Sequence, residues 1–107
     1  MGYIEDRRYS VKLTEGQGIL LVYCDTQADV LDIGRRNIGC DWIELIVPEQ
    51  LQKDGYVIMI DEEAKIKGNN NINCIASYLY ESHHHGDPVV GNAMIVKVDG
   101  ESLVLLT

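Results

Sequence analysis

Apolar residues in this chain fall into short runs separated by polar, glycine-bearing connectors, a rhythm that predicts strands with a few short helices. GILLVYCD sets an apolar run from Ile19 to Cys24 between Gly18 and Asp25, too short for a helix and bounded as a buried strand would be. DTQADVLDIGRRNIG follows with Ala28, Leu31, Arg35 and Ile38 at helical spacing. Asp25 or Thr26 is placed to cap its first amides, and Gly39 to end it in the left-handed conformation. Gly34 weakens that helix by about 1 kcal/mol relative to alanine. DWIELIVP alternates, with Ile43, Leu45 and Val47 on one face and Trp42, Glu44 and Ile46 on the other, until Pro48 ends the ladder for want of an amide hydrogen.

Beyond the polar connector EQLQKDG, YVIMI reads as a second buried strand and DEEAK as a turn. NNNINCIASYLYES supplies asparagines able to cap a helix, then Ile72, Ile75, Ala76 and Leu79 as its inward stripe, leaving Asn73, Ser77 and Tyr80 on the opposite side. HHHGDP reads as a loop running into a long strand, VVGNAMIVKV, with Asp99-Gly100 marking a tight hairpin and Ser102 to Leu106 returning. Residues 1–18 read as a weakly ordered extension or an edge strand, and 19–107 as one domain. The expected fold is α+β: a mostly antiparallel sheet of about five strands with two helices packed on one face, in the order β-α-β-β-α-β-β.

Charge narrows the partners. A formal net charge of −8 over 107 residues disfavours nucleic acid or an anionic membrane as the main partner, because both repel such a chain. Arg35 and Arg36 form one of two basic pairs and could still grip a single phosphate or carboxylate, which admits a small anionic molecule beside a protein surface. Cys24, Cys40 and Cys74 are an odd set without close spacing, and no secretory leader precedes them, so a reducing bacterial cytosol is expected. Cys24 and Cys74, within apolar patterns, are expected to behave as small buried hydrophobes. No apolar run is long enough to span a membrane.

The stretch from Ile19 to Val98 resembles a family known as domain of unknown function 3846, small proteins found mainly in phages and other mobile elements of bacteria. The phrases that carry the resemblance are ILLVY, WIELI, IDEEAKIKG, the Asn71–Ala76 helix start followed by Leu79-Tyr80, and GDPVVGNAMIV. The triple histidine and the N-terminal extension depart from it. The resemblance implies a mobile-element origin and an accessory role such as counter-defence, with no assigned activity.

Two readings of function follow. In the first, the chain is a non-enzymatic protein that binds a host protein or sequesters a small, nucleotide-derived signalling molecule. Asn73, Tyr80, His83 and Asn92 would form a polar-aromatic rim, and Arg35 and Arg36 would supply the cation. In the second, it binds metal or hydrolyses a substrate with it, using His83, His85 and Asp87, with Cys74 or Glu81 completing a zinc-like set. Asn92 and Gly91 lie in an apolar strand, where an amide needs a partner; pinning a loop amide is the favoured role. No serine stands in a nucleophile elbow and no glycine loop has phosphate-binding spacing. A homo-oligomer formed by pairing the final strand, LVLL, is a third expectation.

Overall fold

The computed structural model describes residues 7–25 and 29–106, with the backbone alone at Arg7, Asp25, His83 and His85. Its elements are β1 (Arg7–Leu13), β2 (Ile19–Asp25), α1 (Val30–Ile38), β3 (Ile43–Ile46), α2 (Glu49–Gln52), β4 (Tyr56–Asp61), α3 (Cys74–Leu79), α4 (Ser82–His85), β5 (Ala93–Asp99) and β6 (Ser102–Val104). The strands form one antiparallel sheet in the order β2-β1-β5-β4-β3, with β6 also paired to β5. This is the expected α+β class with a mostly antiparallel sheet.

The helices do not share one face. Val57 and Met59 of β4 and Met94 and Val96 of β5 pack with Ile33 and Ile38 of α1. Ile58 of β4 and Ala93 of β5 face the other way and pack with Leu13 and with Ala76 of α3. The expectation of helices on a single face is therefore corrected. Its physical reason is that the central strands are apolar at consecutive positions, Val57, Ile58 and Met59 being all buried, so each face needs its own cover.

The expected order is corrected at its start. Arg7–Leu13 is a strand but not an edge, since it lies inside the sheet between β2 and β5, and the rest of the expected extension, residues 1–6, lies outside the described residues. Ser10 is wholly buried there, its hydroxyl donating to the Ile95 carbonyl. β2 takes the edge instead, and Ile19, Leu20, Leu21 and Tyr23, expected to be buried, are each more than half exposed. The final segment is short and inward: Leu105 is buried in the α1-side core, and the Leu106 amide donates to the Tyr9 carbonyl. LVLL therefore gives one side to β5 and its end to β1.

Local chemistry explains the helix bounds. Asp29, rather than Asp25 or Thr26, caps α1 by accepting from the Leu31 amide, and Gly39 closes it at φ 82° with its N–H on the Arg35 carbonyl. Gly34, read as a weakness, is a close-packing device: a Cβ there would stand 2.6 Å from Met59 Cε and 2.8 Å from Ile43 Cδ1. The α3 helix begins after Asn73, so Ile72 drops out of the expected inward stripe, half-exposed in a bridge to Val90, while Ile75, Ala76 and Leu79 face the core. HHH forms one helical turn, Ser82–His85, instead of a loop.

Candidate functional site

Asn73 is not on a rim. Its side chain is fully buried and uses both amide donors and its carbonyl oxygen internally: Nδ2 donates to the Leu13 carbonyl at 2.8 Å and the Gly91 carbonyl at 2.9 Å, and Oδ1 accepts from the Ala76 amide at 3.1 Å. One amide therefore caps α3 and ties it to both β1 and the segment before β5. Around it the asparagines knit the β1–β2 turn into the fold. Asn92 Oδ1 accepts from the Glu15 amide at 3.0 Å, the loop-pinning role favoured above, from a position just before β5. The Glu15 carboxylate in turn accepts from Asn69 and Asn71. Gly91, at φ 80°, holds the close approach to the Asn69 amide that a Cβ would crowd. Ser77 likewise turns inward, its hydroxyl accepting from the Val89 amide.

The other expected ligand residues are dispersed. Arg35 and Arg36 end α1, on the opposite face of the sheet from Tyr80. Arg35 is held by Asp32 at 2.9 Å and donates to the Asp41 carbonyl at 3.3 Å. The C-terminal end of a helix also presents its carbonyls, a poor setting for an anion. Asp87 is highly exposed and pairs with Lys65 at 3.4 Å. The side chains of His83 and His85 lie outside the described residues. Among the described residues no group of three or more His, Cys, Asp or Glu is placed to hold a metal ion.

The cysteines are free, and Cys74, expected to be buried, is exposed in the first turn of α3, whereas Cys40 is buried. Burial pushes the Cys40 thiol pKa up, and the Asp61 carboxylate adds to it. Lys67 and Arg35 pull the other way but are outweighed, so Cys40 is a core thiol held toward its neutral form.

The structure does bring together a cleft along the β3 edge, with a volume of about 660 Å³. Ile46, Pro48 and Tyr80 supply its apolar surface, and Glu44, Glu49 and Glu81 its carboxylates, with His84 beside them. Each acid is placed by a different element. Glu44 is exposed on β3, Glu49 opens α2 directly after Pro48, and Glu81 follows α3. Gln50 clamps two walls by donating from Nε2 to the Leu79 carbonyl at 2.6 Å. Glu81 stands at φ 55°, the one non-glycine residue with positive φ among the described residues, a conformation that costs on the order of 1–3 kcal/mol. A smaller hollow of about 220 Å³ adjoins it, sharing Glu44, Ile46 and Tyr80.

Sequence reading placed Tyr80 on a binding rim but missed Glu49, which lies in a stretch read as a connector. The signal was present: proline followed by glutamate is a common opening for a helix, and acids there suit its positive end.

An antiparallel sheet covered by short helices on both faces, with a cleft along one edge, defines an α+β domain. The chain belongs to the family described as Domain of unknown function (DUF3846), whose model matches residues 18–107. No curated protein and no solved structure matches it. No helix of the described residues is long and apolar enough to cross a membrane.

Proposed function

We propose that this chain is a non-enzymatic accessory protein of a phage or mobile element, acting in the bacterial cytosol by binding a host protein. Its partner inserts a basic segment, with an apolar residue among lysines or arginines, into the β3-edge cleft. The observation that carries this reading is the ring of Glu44, Glu49 and Glu81 around Ile46, Pro48 and Tyr80. Carboxylates at a rim and apolar surface beneath them suit a cationic side chain that lays its methylenes on the floor and keeps its charge at the edge. The net charge of −8 strengthens encounter with such a partner at low salt. A small anion is less well served, because Arg35 and Arg36 stand away from the cleft and Arg35 is already engaged.

The test is a fluorescence-anisotropy titration of a labelled Lys/Arg-rich peptide carrying one leucine. Binding that weakens as salt rises is expected, with an affinity at least about tenfold lower in the Glu44→Gln, Glu49→Gln, Glu81→Gln variant. A control with Asp54→Asn, Asp99→Asn, Glu101→Gln changes net charge equally at exposed positions away from the cleft. Equal losses in both variants would reduce the effect to bulk charge and sink the reading.

A further inference from the structure

The opposite edge of the sheet carries a different surface. β2 is the end strand, and its Ile19, Leu20, Leu21 and Tyr23 are 59%, 53%, 54% and 60% exposed. Residues 19–24 hold no charge in a chain whose net charge is −8. Natural edge strands are usually blunted by a charge, a proline or a bulge, and this one has none of these within the run.

Its backbone is aligned for pairing. The Tyr9 carbonyl accepts from Leu106 and so points away from β2, while the Thr14 amide bonds the Gly18 carbonyl at the turn. Since Tyr9 lies opposite Tyr23, Val11 opposite Leu21 and Leu13 opposite Ile19, the alternation of an antiparallel ladder directs the N–H and C=O groups of Ile19, Leu21 and Tyr23 outward. No described residue pairs with them.

We propose that two copies of this chain associate by antiparallel pairing of β2 with β2 about a two-fold axis at Val22. The strand fits itself in this register. Leu21 meets Tyr23 of the second copy with outward ladder groups on both, Leu20 meets Cys24, and Val22 meets Val22. The side chains also match face by face. Val22 and Cys24 pack toward the α1-side core, which puts Leu20 on that face and Ile19, Leu21 and Tyr23 on the other in both copies. Self-pairing places no charge opposite a like charge: Lys12 and Arg8 sit one strand back, opposite Leu20 and Cys24, and Asp25 falls at the far ends opposite Ile19. Elsewhere two chains of net −8 repel, so this uncharged edge is where a second copy meets least resistance. The paired strip runs about 23 Å at roughly 3.3 Å per residue, the scale of a small interface whose assembly depends on concentration.

Sedimentation velocity of the full chain from 1 to about 200 µM, with reductant, tests this. A concentration-dependent dimer is expected, with a dissociation constant raised at least about tenfold by Leu21→Lys, whose far-UV spectrum is checked against the parent. A second variant, Val22→Cys with Cys24→Ser and Cys74→Ser, tests the register. At a non-hydrogen-bonded antiparallel pair the Cα atoms lie about 4.5 Å apart, within disulfide range, so oxidation should give a covalent dimer. A chain that stays monomeric at the highest concentration, alone or carrying a foreign peptide, overturns the proposal. So does a dimer indifferent to Leu21→Lys, or a Val22→Cys protein that does not cross-link.

Discussion

The two edges of this sheet solve the same problem in opposite ways. β3 is four residues long, carries Glu44 in its span and runs into Pro48, and these features deny it to another strand. β2 is seven residues long and uncharged from Ile19 to Cys24. What blunts β3 against strand pairing, an acid and a proline, also builds the cleft beside it, whereas what leaves β2 open is its lack of either. On the two proposals made above, one edge would read charge on a foreign chain and the other would accept backbone from a like one.

The largest effect is expected between the two edges, where α3 is tied to β1 and to the segment before β5. Asn73→Ala removes the α3 cap and leaves the Leu13 and Gly91 carbonyls without their donor, which should cost about 3 kcal/mol by urea unfolding. A cost below about 1 kcal/mol would mean the hairpin carrying β2 is not tied to α3 in this way. Next, Glu81→Gly should act on the cleft side alone. It relieves a left-handed glutamate, raising stability by about 1 kcal/mol in the same assay, and lowers affinity for the basic peptide by removing a carboxylate. A variant less stable than the parent would contradict the strain, and unchanged affinity would remove Glu81 from the binding surface.

The smallest effect is a pH dependence near the β3 end of α1. The folded state raises the Cys40 pKa, so it keeps a proton that the unfolded chain releases. Stability is then full below the ordinary thiol value of 9.0 and falls as pH rises through that value toward the folded one. Cys40→Ser should flatten that alkaline decline in a series of unfolding curves. In native protein an alkylating reagent should modify exposed Cys74 first and reach Cys40 only on unfolding.

Much of the sheet was legible in the sequence because short apolar runs bounded by Gly, Asp and Pro admit few alternatives. The YVIMI run, the Asp99-Gly100 turn and the Gly39 cap all stand where composition placed them. Burial was harder, since it depends on strand order rather than on the strand. ILLVY is more apolar than the segment before it, yet RRYSVKL takes the interior because both its neighbours pair with it, and Ser10 is buried by position. The helices' division between two faces was written in the unbroken apolar runs of β4 and β5, a pattern that one-sided strands lack. The site was the least legible part. Asparagine says only that an amide will bond something, and Asn73 bonds β1 across 60 residues of sequence. The cleft's acids come from three separate segments, so no local motif announces them.

The most direct test is a backbone-amide NMR titration of the protein with the Lys/Arg-rich peptide, held at a concentration where the chain is monomeric. The expected shifts cluster at Glu44, Ile46, Glu49, Tyr80, Glu81 and His84 and leave Ile19 to Cys24 unmoved. Shifts confined to β2 or to the end of α1, or no saturable shifts at all, would contradict a basic partner docking along β3.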